Sequence, residues 1–260
     1  MTIASLMYHD IVADGDWDAS GFPGPSAASY KFDHDAFERQ LLALARTGLR
    51  FPRISDLGSS DARDACLVTF DDGGASSLDA ARRLDRHGMA GHFLITAARV
   101  GTPGFVTAAD LRALVAGGHV VGSHSHNHPP DISRLAADAL AAEWHDSLAL
   151  LSDLIGRLVD VASVPGGFHS TRVACAAAEA GIRYLFTSEP TISVGRVGGS
   201  LVLGRYALQR GVTPAQVADL ATGRSSARAR QWLMWNLKKP AKRFAGPAYR
   251  SLRRRAFSGA

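Results

Sequence analysis

Two short segments of the chain contain four side chains that are suited to hydrolysis. Asp71 and Asp72 stand side by side in VTFDDGG, and His124 and His128 lie four residues apart in GSHSHNHPP. Two adjacent carboxylates repel each other unless a cation binds one of them and leaves the other free as a base. Two histidines and one carboxylate form a three-ligand metal site with open positions. The four residues therefore predict a catalytic divalent metal and a carboxylate that takes a proton from water.

Each segment alone also has an ordinary structural explanation. An Asp-Asp-Gly sequence often forms a turn that caps the following helix, and a histidine-rich segment can be a solvated loop. Both segments, however, follow stretches that we predict to be strands. Polar groups at the carboxyl ends of parallel strands are typical of functional sites, so the two segments together favour a site.

The elements that must position these residues alternate between strand and helix about seven times. Apolar runs such as ACLVTF and HVVGSHS predict strands, and segments such as DHDAFERQLLALARTG and TAADLRALVAGG have helical spacing and capping residues. This alternation predicts an α/β fold with parallel strands and crossover helices, in a barrel or in a doubly wound sheet. No G-x-G-x-x-G pattern follows the first predicted strand, so the sequence does not support a dinucleotide-binding fold.

The segments TFDDG and HSHNH resemble the first two motifs of the polysaccharide deacetylase family, also called carbohydrate esterase family four. The similarity extends through PGG and covers roughly residues 3–220. It implies a distorted (β/α) barrel with about seven strands that hydrolyses the N-acetyl group of an amino sugar with a divalent metal, for which we expect zinc. By position, Asp71 would be the general base, whereas Asp72, His124 and His128 would bind the metal. His126 falls at a variable position of the motif, and we expect it not to be a ligand.

The third family motif is altered in this chain. The family usually has Arg-x-Pro-Tyr/Phe-Gly, where the arginine orients the catalytic aspartate, but here the segment is SVPGG with Ser163 at the arginine position. Another group must therefore hold the base, or the base is less constrained. Gly166 takes the aromatic position, and the resemblance implies that its N–H stabilises the oxyanion. We expect Pro165 and Gly167 to contact substrate.

The fifth family motif usually ends in a histidine that acts as general acid, and the matching segment LVLGRYAL has none. Arg205 in this segment cannot deliver a proton near neutral pH. The substitutes that we consider are His9, after the first strand, and His169, just after PGG. We also expect both histidines to contact substrate, and either could instead be structural.

Charge divides the chain into two parts. From Arg224 onward there are 11 Lys and Arg and no Asp or Glu, so the first 223 residues carry a net charge of −6 although the whole chain carries +5. We predict a catalytic domain over 1–223 and a basic amphipathic tail over 224–260, broken by Pro240 and Pro247. Tryptophans among basic residues suit an anionic membrane surface. Docking on the acidic body or on a partner is the alternative, and no nucleic-acid partner is expected.

The sequence also indicates a compartment. MTIASLMYHD has neither the basic segment nor the long apolar segment of a signal peptide, and no run of 18 or more apolar residues occurs. The two cysteines, Cys66 and Cys175, are far apart in apolar runs, where we expect buried thiols without a disulfide. We therefore expect a cytoplasmic protein that could be peripheral at the inner face of the membrane.

These observations predict a metal-dependent carbohydrate N-deacetylase that acts on an amino-sugar glycan or on a lipid-linked glycan precursor. Two alternatives stay open. The same barrel could hydrolyse another C–N amide, such as a formamide or a ring amide. A catalytically silent glycan-binding protein would fit the missing histidine of the fifth motif.

Overall fold

A curved sheet of nine strands forms the centre of the molecule. The computed structural model describes residues 2–57 and 64–244, with side chains up to residue 237. The strands are β1 (Ala4–Tyr8), β2 (Ile11–Val12), β3 (Phe32–Asp33), β4 (Cys66–Phe70), β5 (Gly91–Ile95), β6 (Val120–Ser123), β7 (Val161–Ser163), β8 (Tyr184–Phe186), β9 (Val194–Val197), β10 (Ser200–Leu203) and β11 (Tyr206–Ala207). The small strands β2 and β3 pair separately, next to the first loop.

The strand order of the large sheet is β11-β1-β4-β5-β6-β7-β8-β10-β9. Neighbouring strands are parallel, except that β9 runs antiparallel to β10. Among the described strands, β11 and β9 form the two edges, so the sheet curls into an open half-barrel. The predicted distorted (β/α) barrel is confirmed in this open form, with one parallel strand more than the seven expected.

Helices connect the strands and cover one face of the sheet. They are α1 (Pro25–Ala28), α2 (His34–Ala45), α3 (Ser77–Asp85), α4 (Ala108–Ala116), α5 (Ala137–Ile155), α6 (Thr171–Glu179), α7 (Pro214–Thr222) and α8 (Ala227–Phe244). The predicted capping box of α4 is present: the Thr107 side chain accepts from the Asp110 N–H, and the Asp110 carboxylate accepts from the Thr107 N–H. A second capping box joins Thr213 and Gln216 at the start of α7.

The strands β1, β4, β5, β6 and β7 are buried on both faces, as is typical of parallel sheets. Leu67, Leu94 and Phe186 belong to an inner cluster, whereas Val68 and Phe93 belong to the larger cluster between sheet and helices. Both clusters consist of fully or nearly fully buried side chains. This packing fixes the strand register, and the register fixes which side chains emerge at the carboxyl ends of the strands.

Two details differ from expectation. Cys66 is buried, but Cys175 is exposed, because α6 buries Val173, Ala174 and Ala177 and turns the cysteine outward. Helix α8 continues through Pro240, where we predicted a break. Proline disfavours but does not forbid a preceding helical residue, so a helix can pass through one. The part of the predicted tail after residue 244, which includes Pro247, lies outside the described residues.

Candidate active site

The two aspartates lie at the carboxyl end of β4, and both are buried, with 3% of Asp71 and 8% of Asp72 exposed. The glycines that follow are required by close packing. A Cβ atom on Gly74 would lie 1.9 Å from the Asp10 carboxylate, and one on Gly73 would meet Ile95 at 3.0–3.2 Å. The DDGG sequence therefore lets the chain turn sharply while both carboxylates stay inside the strand-end cleft.

Asp72, His124 and His128 converge on one point. Each offers a ligand atom, and these atoms all lie within 4.8 Å of one another. The Nε2 atoms of His124 and His128 lie 3.5 Å and 3.6 Å from Oδ1 of Asp72. Ligand atoms about 2.0–2.1 Å from a tetrahedral zinc ion are themselves roughly 3.4 Å apart. The two distances from Asp72 to the histidines therefore match those expected around a divalent metal.

Backbone strain is concentrated at this point. Asp72, Ser125 and His128 are the non-glycine residues with positive φ in the described parts of the chain, with angles of 77°, 64° and 55°. This conformation is uncommon for residues with a Cβ atom, and it is typically retained at functional sites. Two of the three residues are in the candidate ligand set, and the third lies between the two histidines in sequence.

Ser163 fixes which nitrogen of His124 faces the cluster. The serine hydroxyl donates to Oδ1 of Asp71 at 3.1 Å, and it lies 2.5 Å from Nδ1 of His124. Because the hydroxyl proton points to Asp71, Nδ1 of His124 must be the protonated nitrogen that donates to the serine. The lone pair of Nε2 is then directed at Asp72 and His128, as a metal ligand requires.

Arg205 holds Asp71 in place. Its guanidinium donates from Nη1 to Oδ1 at 2.6 Å and from Nη2 to Oδ2 at 2.8 Å, which is a bidentate pair between fully buried groups. Further donations to the Thr69 hydroxyl and the Thr187 carbonyl fix the guanidinium itself. The group that must replace the family arginine is thus Arg205, from the link between β10 and β11. The small Ser163 side chain occupies the position where the family carries its arginine.

The two carboxyl groups have opposite electrostatic environments. Burial would raise the pKa of Asp71, but the charge of Arg205 outweighs it, and the pKa of Asp71 lies well below its ordinary value. Burial raises the pKa of Asp72 to about 7, with the charges of Asp71 and Asp10 adding to the effect. Burial also lowers the pKa of His124 to about 3 and lowers that of His128. Asp71 is therefore ionised and the two histidines are neutral, whereas the described contacts of Asp72 include no bidentate guanidinium partner.

Helix α5 positions the histidine loop through one buried residue. The Glu143 carboxylate accepts from the backbone N–H groups of His126 and Asn127 at 3.0 Å and 2.9 Å, and from the Asn127 side chain at 2.8 Å. The Ser125 hydroxyl accepts from the His128 N–H at 3.0 Å. The structure places His126 outside the group formed by the candidate ligands. The histidine loop is thus held by Glu143 of α5 and by the Ser125 hydroxyl within the loop itself.

A long loop over residues 13–31 closes one side of the site. The ammonium group of Lys31, which is 1% exposed, donates to the carbonyls of Trp17, Ser20 and Phe22 at 2.6–2.8 Å. The Phe22 ring lies 4.9 Å from the His128 ring, between centroids. These contacts anchor the loop and place Phe22 as one wall of the site.

Of the two histidines considered as the general acid, His9 is the one with a described electrostatic effect on the aspartates. It follows β1 and is half-buried, and its ring lies 4.8 Å from the Tyr30 ring. Its charge lowers the pKa of both Asp71 and Asp72.

The PGG segment forms a tight turn after β7. Pro165 is buried, Gly166 is exposed with φ of 63° and ψ of 3°, and Gly167 has φ of 70°. A Cβ atom on Gly166 would lie 3.0 Å from the Phe168 ring. The turn begins two residues after Ser163, which contacts both Asp71 and His124, so it borders the site.

The chain is similar to known proteins over the residues that form most of this site. A family model described as polysaccharide deacetylase matches residues 59–185, which include both aspartates, both candidate histidine ligands and the PGG turn. Residues 59–185, just under half of the chain, therefore resemble the polysaccharide deacetylase family. The match ends before Arg205 and does not include His9. No curated protein sequence matches the chain.

Solved structures share the fold over more of the chain. The deacetylase PplD of Streptococcus pyogenes, solved in complex with acetate, superposes with a TM-score of 0.69 at 19% identity and covers 85% of this chain and 98% of its own. IcaB of Ammonifex degensii gives 0.67 at 22% identity over 85% and 97%. A de-N-acetylase of Aggregatibacter actinomycetemcomitans gives 0.69 at 16% identity over 85% and 100%. At these identities the similarity shows a shared fold.

Sequence reasoning missed two residues that hold the site together, Arg205 and Glu143. For Arg205 there was an indication, because a lone arginine in an apolar strand segment must find an acceptor when it is buried. For Glu143 there was none, because a glutamate on the longest helix is usually exposed.

Proposed function

We propose that this protein is a metal-dependent deacetylase that removes N-acetyl groups from an amino-sugar glycan. The observation that carries the proposal is the convergence of Asp72, His124 and His128 beside an ionised Asp71, in a chain that resembles the polysaccharide deacetylase family. The structures named above support de-N-acetylation on this fold, whereas the sugar and the linkage remain part of the proposal.

Asp72, His124 and His128 would hold the metal, for which we propose zinc. When bound, it would supply Lewis-acid activation of a water molecule and of the amide carbonyl. This chemistry suits a base as weak as Asp71, whose ionised form is stabilised by Arg205. Asp71 accepts the proton of the attacking water, and its bidentate contact keeps the carboxylate oriented for that transfer.

The Gly166 N–H donates to the oxyanion of the tetrahedral intermediate, and Pro165 and Gly167 shape the turn that presents this donor. Glycine at position 166 keeps the donor and leaves space for substrate above the turn. His9, which follows β1 on the side of the two aspartates, protonates the leaving amine. His169 contributes to substrate binding at the end of the same turn.

Two matched substitutions test the division of labour between the aspartates. Asp71→Asn keeps the shape and should retain the metal, but kcat for acetate release should fall about 100- to 10,000-fold, as expected for loss of a general base. Asp72→Asn should instead lose the metal. The measurements are acetate release from chitooligosaccharide and related glycans, and elemental analysis of the purified variants.

Three outcomes contradict the proposal in different ways. Full activity of Asp71→Asn on a demonstrated substrate would show that another group is the base. Release of a different small acid from a substrate panel would indicate another amide as substrate. A purified protein that holds no metal and has no affinity for added zinc would favour a silent glycan-binding protein.

A further inference from the structure

Helix α8 carries an unusual concentration of exposed apolar side chains. Among the described residues, six large hydrophobic side chains are exposed, and four of them lie within six residues of α8: Trp232 (54%), Leu233 (53%), Met234 (49%) and Leu237 (67%). The other two, Leu42 and Leu158, are isolated from each other in sequence and lie far from α8 in the chain. A cluster of this kind marks an interaction site.

One face of α8 is fixed to the body of the protein. Arg228 donates to the carbonyls of Leu220 and Ala221 at 2.7 Å and 2.6 Å, and the Gln231 side chain donates to the Ala207 carbonyl at 2.7 Å. Arg228, Gln231 and Trp235 recur at helical spacing and therefore share one face. The apolar cluster is thus displayed on a docked helix whose orientation is set by the fold.

Trp235 connects this helix to the candidate active site. A Cβ atom on Gly167 would lie 3.0 Å from the Trp235 ring, and it would lie 3.3 Å from the Ser188 side chain. Gly167 belongs to the turn after β7, and Ser188 follows β8, so both are at the carboxyl ends of strands. Helix α8 therefore borders the edge of the sheet where the candidate site lies.

Charge decides which partner suits the exposed face. The 37 residues from Arg224 onward contain 11 Lys and Arg and no Asp or Glu, whereas the preceding part of the chain is net acidic. A helix that exposes tryptophan and leucine within a segment rich in basic residues fits the interface of an anionic bilayer, where apolar groups insert and cations meet lipid phosphates. Nucleic acid would match the charge but not the apolar cluster.

We propose that α8 docks the catalytic edge of the protein onto an anionic lipid surface through Trp232, Leu233, Met234 and Leu237. The helix need not cross the bilayer, and no described helix is long and apolar enough to do so. The bound surface would lie next to the turn at Gly167. If the proposed deacetylase function holds, this placement favours an amino-sugar substrate carried on a lipid.

Vesicle co-sedimentation of the full chain tests the docking. The protein should bind vesicles of phosphatidylcholine with about one-third phosphatidylglycerol, bind pure phosphatidylcholine far less, and be released by high salt. The variant Trp232→Ser/Leu233→Ser/Leu237→Ser should bind the anionic vesicles roughly tenfold or more weakly. The matched control Leu42→Ser/Leu158→Ser removes exposed leucines elsewhere and should bind like the unsubstituted protein.

Thermal unfolding of both variants checks that each is folded. Equal loss of binding in the two variants, or no binding of the unsubstituted protein, would overturn the proposal. Light scattering without lipid tests whether a second copy of the chain covers the exposed apolar cluster of α8. An oligomer that dissociates only when the α8 residues are substituted would also overturn the proposal. The assay does not use catalysis, so its failure is distinguishable from failure of the proposed function.

Discussion

At the residue scale, the division of labour in the Asp71–Asp72 pair comes from their neighbours. Asp71 has a cation of its own, because Arg205 binds both of its carboxylate oxygens. The described contacts of Asp72 include no such guanidinium partner, and burial raises its pKa to about 7. A metal beside Asp72 would supply a positive charge there. Asp71 is therefore an oriented anion, whereas Asp72 is suited to bind a metal.

The first prediction concerns this arginine. Arg205→Lys keeps the positive charge but loses the bidentate hydrogen bonding to Asp71, which an ammonium group cannot reproduce. The loss of a charge-assisted hydrogen bond is worth about 1.5–3 kcal/mol, so kcat should fall roughly 10- to 100-fold. KM and metal content should change little, because neither the metal ligands nor the PGG turn is altered.

Steady-state kinetics and elemental analysis separate these effects. The control Arg183→Lys alters an exposed pair with Asp160 at the surface and should leave kcat unchanged. A normal kcat for Arg205→Lys would show that Asp71 needs no fixed orientation.

At the element scale, the carboxyl ends of β1, β4, β6 and β7 bring the site together. Each end contributes a different group: His9, the aspartate pair, the histidine loop and Ser163. These groups are distant in sequence, and the parallel order of the strands makes them neighbours. Helix α5 then fixes the histidine loop through Glu143, so the geometry of the ligands depends on a helix that supplies no ligand.

The second prediction tests this dependence. Glu143→Gln replaces one of the two acceptor oxygens with an NH₂ donor. At least one of the three hydrogen bonds that the carboxylate accepts, from the two backbone N–H groups and from the Asn127 side chain, should then break. The loop should loosen, and zinc affinity should fall about 10-fold, as for other groups that orient metal ligands. Competition with a chromogenic chelator measures the affinity, and amide hydrogen exchange measures protection of the loop.

Glu179→Gln, at the exposed end of α6, is the matched control and should change neither quantity. Unchanged affinity in Glu143→Gln, together with lost loop protection, would show that the ligands hold their geometry without α5.

At the scale of the whole molecule, buried neutral histidines make the fold sensitive to acid. His92 is fully buried; its Nε2 accepts from the Ile54 N–H at 2.9 Å, and its Nδ1 donates to the Val68 carbonyl at 2.9 Å. Burial lowers the pKa of His92 to about 4, and the nearby His119 lowers it further, while Asp56 acts in the opposite direction. The folded protein therefore resists protonation of a group that the unfolded chain protonates near pH 6.5.

The third prediction follows from this difference. Since the unfolded state binds the proton first, the contribution of His92 to stability is complete above about pH 6.5. It should be lost as pH falls from there to about 4, with a total of at most about 3 kcal/mol. Urea unfolding of the unsubstituted protein and of His92→Gln, measured across this range, checks it.

The glutamine variant should be less stable at pH 7.5, but its free energy of unfolding should depend less on pH between 6.5 and 4. Parallel pH curves for the two proteins would assign the acid sensitivity to other groups, such as His119.

The sequence by itself determined the fold class, the motifs and the identity of the candidate ligands. These depend on local information: alternation of apolar runs, turn glycines, and chemical groups at short spacing. His124 and His128 are recognisable because one loop carries both. The two adjacent aspartates are recognisable because such a pair is unfavourable without a cation nearby.

Only the tertiary structure decided which residue orients Asp71, which nitrogen of His124 faces the ligand cluster, and where the basic helix lies. Arg205 is more than 130 residues from Asp71, and the two meet because β11 and β4 both flank β1. Such long-range contacts depend on strand order and on the burial of whole layers, which no short segment encodes. The sequence therefore identified the aspartates and histidines of the candidate site, and the packing of distant elements determines their positions and contacts.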